Sequence, residues 1–167
     1  QLGNNINAYN AYKHVIMLNP PYQLAFNARV GMTEVMAGGK QTQMIAKLRR
    51  MAASDNNKDY QDQIYYAIGN IYLAKKDTAN AIVAYEHGKE KAIRNGIEKG
   101  VLLLKLGNLY WTKEQFGKAK GCYDVAIGLL DKERKDYQQL ADRQKILEEL
   151  VPFTDAVELQ DSLQRLA

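Results

Sequence analysis

One pattern of small, apolar and aromatic residues occurs twice in the chain, in 65–85 and again in 103–123. In each copy a glycine is followed by an alanine 12 residues later and by a tyrosine 4 residues after that. The residues concerned are Gly69, Ala81 and Tyr85 in the first copy and Gly107, Ala119 and Tyr123 in the second. A supersecondary unit that recurs at a period of about 20–50 residues predicts stacked helices with a continuous core between neighbours. The chain is therefore expected to be all-α.

The two glycines need a physical reason to lie inside helices. Glycine within a helix costs about 1 kcal/mol relative to alanine. Packed helices have axes about 8–10 Å apart, and the closest crossings need glycine or alanine at the contact. We therefore expect the helices to cross at Gly69 and Ala81 in the first copy and at Gly107 and Ala119 in the second.

The register of the two copies agrees with a known helical repeat. The residues at its bulky, small and aromatic positions are Tyr65, Ile68, Gly69, Tyr72, Ala81, Tyr85 and Gly88 in the first copy and Leu103, Leu106, Gly107, Tyr110, Ala119, Tyr123 and Ala126 in the second. In this register the chain resembles the tetratricopeptide repeat family, whose unit is a helix–turn–helix of about 34 residues. The resemblance implies a right-handed α-solenoid of stacked antiparallel helix pairs.

The remaining sequence divides into further units, which makes four to five in total with degenerate outer ones. We expect a single solenoid over 1–167. The predicted boundaries are 1–20 for the second helix of a first repeat, 21–53 for a degenerate repeat broken at Gly38–Gly39, 59–95 and 97–131 for two repeats, and 134–167 for a degenerate C-terminal helix pair interrupted at Pro152. The apolar face of the last helix indicates that the chain is an excerpt of a longer protein.

Composition and charge narrow the classes of function. The net charge of +4 comes from 23 basic and 19 acidic residues that are interspersed, whereas a nucleic-acid partner needs a clustered basic face. No stretch is apolar over the length that a bilayer requires, so we expect no direct membrane insertion by this segment. The single cysteine, Cys122, rules out an internal disulfide and a cysteine-based metal cage. We expect it to be a structural thiol that is at least half-buried.

The chain carries no motif for catalysis. His14 and His87 fall on second helices about two repeats apart, and no strand is followed by a glycine-rich phosphate loop. We therefore expect no enzyme activity, no cofactor and no metal ligand, and the function left is the binding of a protein or peptide.

In the tetratricopeptide repeat the first helices line a concave groove, and the resemblance implies the binding residues there. The candidates are Gln63, Tyr66, Asn70, Leu73, Leu104, Lys105, Asn108 and Trp111. We expect Asn70 and Asn108 to hydrogen-bond the backbone of a partner. Trp111 is the only tryptophan in the chain; it has two interpretations, because tryptophan is enriched both at interface hot spots and at seams between repeats.

Two alternative functions stay open. The first is a chaperone-type carboxylate clamp, in which Asn70, Asn108 and Lys105 would hold the C-terminal carboxylate of a peptide, although Tyr66 stands where the clamp has lysine. The second is an accessory domain of an enzyme whose catalytic part lies outside this chain.

A narrower resemblance rests on two stretches of sequence, 57–70 and 149–163. Both resemble the tetratricopeptide lipoproteins of Bacteroidetes that are associated with gliding motility and type IX secretion. The resemblance implies a lipid-anchored periplasmic or outer-membrane-associated protein of an envelope assembly. The segment itself carries no localisation signal.

Overall fold

The computed structural model describes residues 2–35 and 40–166, and in these ranges it contains eight α-helices, one 3-10 helix and no strand. The all-α prediction is confirmed. The helices are α1 (Leu2–Met17), α2 (Tyr22–Val35), α3 (Gln41–Ala52), α4 (Gln61–Ala74), α5 (Thr78–Lys91), α6 (Ile97–Thr112), α7 (Phe116–Leu129) and α8 (Tyr137–Leu166), with the 3-10 helix at Asp55–Tyr60. The predicted break at Gly38–Gly39 lies outside the described residues. None of the helices in the described ranges combines the length and apolar character of a membrane span.

The helices form two compact units, Gln1–Ala92 and Ile93–Ala167. The first contains α1 to α5 with the 3-10 helix, and the second contains α6 to α8. The helix pair α4/α5 dominates the packing of the first unit, and α6/α7 dominates the second. The continuity of one solenoid over 1–167, and its division into repeats, stay predictions.

The two central pairs turn their chains in the same way. Lys76 and Glu114 have φ angles of 61° and 58°, the left-handed conformation in which helices commonly end. The next residue in each turn donates its backbone N–H to a carbonyl five residues earlier, Asp77 to Tyr72 at 2.9 Å and Gln115 to Tyr110 at 3.0 Å. The repeat in the sequence is thus also a repeat of backbone geometry.

The close helix crossings lie where the small residues predict them. A Cβ atom on Gly69 would overlap the ring of Tyr85, and one on Gly107 would lie 3.1 Å from both Cys122 Cβ and Tyr123 Cε1. The alanines of the two copies, Ala81 and Ala119, are fully buried. Each pair is therefore closed by a tyrosine ring of the second helix lying against a glycine of the first.

The C-terminal segment corrects a prediction. A helix pair interrupted at Pro152 is expected over 134–167, whereas the structure has one helix, Tyr137–Leu166, with Pro152 inside it. Proline removes one helical hydrogen bond, yet a long helix tolerates this where its other contacts compensate. Here Leu140 and Leu147 are buried with 3% and 0% exposure, and α8 packs on α7. These buried residues precede the proline, whereas Phe153 and Val157 beyond it are exposed, so the packing on α7 accounts for the first part of α8 only.

Candidate partner-binding face

The predicted binding residues lie on α4 in the first unit and on α6 in the second. They occupy equivalent places, because each helix carries a central asparagine one residue after the glycine that contacts a tyrosine. The surroundings of the two asparagines decide what each face offers to a partner.

In the first unit, Asn70 is held by two side chains. The hydroxyl of Tyr85 donates a hydrogen bond of 2.8 Å to Asn70 Oδ1, and Asn70 Nδ2 donates one of 2.9 Å to Glu34 Oε1 on α2. Burial raises the pKa of Tyr85, so the phenol remains a donor. Tyr66 lies beside this network, with its ring centroid 5.8 Å from that of Tyr85.

In the second unit, Asn108 is the centre of a matching network. Its Oδ1 accepts hydrogen bonds of 2.6 Å from the hydroxyl of Tyr123 and of 3.1 Å from Nη1 of Arg143 on α8. Burial also raises the pKa of Tyr123. The same asparagine–tyrosine bond therefore recurs in both units, with a carboxylate as the third member in one unit and a guanidinium in the other.

These networks give the asparagines a role within the chain. Both amide oxygens accept hydrogen bonds from within the chain, and Asn70 Nδ2 donates one. Their expected bonds to a partner's backbone stay a prediction. The structure uses Asn70 and Asn108 to fix the tyrosines that close each helix pair.

Trp111 lies in a mixed aromatic and cationic setting. The guanidinium of Arg143 stands 5.5 Å from the centroid of its ring, and Phe116 meets it edge-on with centroids 5.7 Å apart. The indole is half-buried, so one part of it packs within the unit while another part faces solvent. Both interpretations of Trp111 thus have a structural basis.

The other candidates differ in what they expose. Leu104 is buried, with 4% exposure, and therefore offers no surface to a partner. Lys105 is exposed, whereas Gln63, Tyr66 and Leu73 are half-buried. The Nε2 atom of Gln63 is buried and finds no hydrogen-bond acceptor among the described residues. The roles of these side chains in binding stay predictions.

Sequence reasoning missed the two charged residues that contact the asparagines. Glu34 lies four residues after Val30 and eight after Phe26, which are both buried. Arg143 lies between the buried Leu140 and Leu147 at spacings of three and four residues. The sequence signal that could have identified them is a charged residue spaced among buried apolar residues of one helix. Such a charged side chain usually has a specific partner.

Glu34 is expected to make the stability of the first unit depend on pH. Burial raises the pKa of its carboxyl group, and the hydrogen bond from Asn70 opposes this only in part. An acid whose pKa is raised on folding contributes stability below its unfolded pKa and loses it as the pH rises through the folded value. We therefore expect Glu34→Gln to raise the melting temperature at pH 7, with a gain that shrinks towards about pH 4, near the pKa of an unperturbed glutamate. Equal melting temperatures of variant and wild type at both pH values would contradict this.

Among the described residues, no group of three or more His, Cys, Asp or Glu side chains is placed to hold a metal ion. Cys122 has 1% exposure, in agreement with the buried thiol predicted for it.

Comparison with known proteins supports the register of the first copy. Residues 62–90, which span most of α4 and α5, match the family model of the tetratricopeptide repeat. None of the curated proteins compared with the chain matches it.

Proposed function

We propose that this chain, whose residues 62–90 match the tetratricopeptide repeat, is a non-catalytic scaffold that binds a protein or peptide partner. The repeat family is in general a non-catalytic one that serves protein–protein interaction. The observation that carries the proposal for this chain is the half-buried Trp111 with Arg143 over its ring. Tryptophan and arginine are the residue types that most often supply binding energy at interfaces.

The hydrogen-bond network supports this proposal because it fixes the geometry of the face. Arg143 is held by Asn108, which is held in turn by Tyr123. Side chains that are already ordered lose little conformational entropy when a partner binds. Lys105 on the same helix is exposed, but it lies six residues from Trp111 and therefore about 120° around the helix. The proposed face of the second unit is therefore Trp111 with Arg143, and a part for Lys105 stays a prediction.

The test is capture of partners from a cell extract with the immobilised chain. Trp111→Ala is expected to reduce retained partner at least about tenfold, since hot-spot truncations cost about 2 kcal/mol or more. Lys105→Glu reverses an exposed charge on the same helix without removing packed atoms, and weaker capture by this variant would show that Lys105 also takes part. The controls are Val125→Ala and Lys132→Glu, at exposed positions of α7 and of the α7–α8 connection. Capture that is equal for all five proteins, with circular dichroism showing each to be folded, would contradict the face.

We also propose that the full-length protein is a lipid-anchored member of a cell-envelope assembly. The support for this is the similarity of stretches 57–70 and 149–163 to the lipoproteins of gliding motility and type IX secretion. We expect the full-length protein to incorporate an alkyne-labelled fatty acid in the cell. Absence of label from the isolated full-length protein would contradict a lipid anchor.

The carboxylate clamp has less support than the general scaffold. It needs asparagine N–H groups that donate to a peptide's carboxylate, whereas Nδ2 of Asn70 donates to the carboxylate of Glu34 within the chain. Tyr66 also occupies the place of an expected lysine. An accessory role beside a catalytic domain has no particular observation in its favour.

A further inference from the structure

The first unit contains a cavity that no predicted binding residue lines. Its volume is about 470 Å³, within the range of sites that bind small molecules or single side chains. Its apolar lining comes from Ile16 on α1, Phe26 and Met32 on α2, and Met51 on α3. All of these residues belong to one compact unit.

The cavity exists because α2 and α3 do not close as the other helix pairs do. The glycine of α2, Gly31, packs against the ring of Tyr12 on α1, and a Cβ there would overlap that ring. Meanwhile α3 packs mainly on α4, where Ile45, Leu48 and Ala52 join the hydrophobic core. Because α2 packs mainly on α1 and α3 mainly on α4, residues of all of α1, α2 and α3 line the cavity.

The polar wall of the cavity is fixed by its own hydrogen bonds. The hydroxyl of Tyr22 donates to the backbone carbonyl of Asn56 at 3.0 Å and also to Oδ1 of Asn57. Asn57 Nδ2 donates in turn to the carbonyl of Met51 at 2.8 Å. These groups are satisfied, so the wall presents a formed surface and the remaining adaptability comes from the two methionines.

The charges around the cavity are of one sign. Arg29 and Lys47 line it and are exposed, and no acidic residue is among its lining residues. Helix α3 carries Lys47, Arg49 and Arg50 and no Asp or Glu. The whole net charge lies in this part of the chain, since residues 1–92 have 11 basic and 7 acidic residues and residues 93–167 have 12 of each. Such a field favours an anionic partner.

We propose that this cavity takes a large apolar side chain from an acidic segment of a partner protein, with a neighbouring carboxylate held by Arg29 and Lys47. The proposal rests on the proposed function, since it needs a protein partner, and it places a second contact on a different unit from Trp111. Apolar burial supplies the anchor, and the two cations select acidic over basic segments.

The methionine methyl groups report directly on occupancy. The full chain is labelled with carbon-13 at its methionine methyl groups and followed by NMR. A capped pentapeptide with phenylalanine between two aspartates is expected to shift the methyl resonances of Met32 and Met51. Met44, which packs against the core away from the cavity lining, serves as the internal reference. Two matched peptides, one with alanine in place of phenylalanine and one with lysines in place of the aspartates, are expected to bind at least about threefold more weakly.

Charge variants test the specificity. Lys47→Gln is expected to weaken binding of the acidic peptide about threefold, the effect of losing one exposed ion pair, while Arg50→Gln, which contributes to the field but does not line the cavity, is expected to weaken binding less. The proposal is overturned if the acidic peptide shifts the methyl resonance of neither Met32 nor Met51, or if the lysine peptide binds as tightly as the acidic one. It is also overturned if decanoate shifts both methyls while the peptides do not, because the site would then be one for a small amphiphile. These results leave partner capture through Trp111 untouched, so the two proposals fail separately.

Discussion

Replacing Gly69 with alanine is expected to lower the free energy of unfolding by about 1–3 kcal/mol, the usual cost of overpacking a well-packed core. The added methyl group would overlap the ring of Tyr85. That ring cannot move easily, because it is fully buried and its hydroxyl is bonded to Asn70. The cost outweighs the gain of up to about 1 kcal/mol that alanine brings to a helix. Urea unfolding followed by circular dichroism measures the difference.

Gly121 provides the matched control for this substitution. It also lies inside a helix, α7, but a Cβ built there would meet nothing within 4 Å. Gly121→Ala should therefore show only the favourable effect of helix propensity and raise the free energy of unfolding by about 0.5–1 kcal/mol. Stabilisation by both substitutions would mean that Gly69 does not lie at a close helix crossing.

Truncation of Leu147 is expected to destabilise the chain by about 2–5 kcal/mol, the typical cost of Leu→Ala in a core. Leu147 has no exposed surface, and it lies on the part of α8 that precedes Pro152. Its neighbour Ile146 has 51% exposure, so Ile146→Ala serves as the control and is expected to cost much less. The same unfolding measurement applies.

The comparison of these neighbours tests the orientation of α8. Equal effects of the two substitutions, or a larger effect at Ile146, would show that α8 presents a different face to α7. A large effect confined to Leu147 would support the packing of the first part of α8 on α7.

The parts of the fold that could be predicted from the sequence are the close contacts between the two helices of one repeat. A helical glycine is unfavourable unless another chain segment comes close, so Gly69 and Gly107 predicted the crossings at which Tyr85 and Tyr123 lie. The same period appears in the turns, whose left-handed residues, Lys76 and Glu114, occupy the same position in each copy.

The parts that could not be predicted depend on contacts between distant residues. Asn70 and Asn108 were correctly placed on the first helices, but their bonds to tyrosines 15 residues away exist only once each pair has packed. The burial of Leu104 depends on the rotation of α6. Pro152 predicted an interruption because local propensity, taken alone, disfavours proline inside a helix.

For the candidate site too, single residues could be predicted from the sequence but contacts between distant residues could not. Trp111 was identified by residue type, whereas Arg143 was found only from its bond to Asn108 across 35 residues. The cavity lined by α1, α2 and α3 had no sequence signal. Empty space between helices is a property of packing and leaves no motif.

The central claim is that one glycine–tyrosine contact, used twice, builds both helix pairs. Nuclear Overhauser spectroscopy of the folded chain measures it directly through the distance between ring protons and glycine Hα protons. The account predicts strong cross-peaks from the Tyr85 ring to Gly69 Hα and from the Tyr123 ring to Gly107 Hα, with none to Gly121. Absence of both predicted cross-peaks, in spectra where the four residues are assigned, would contradict it.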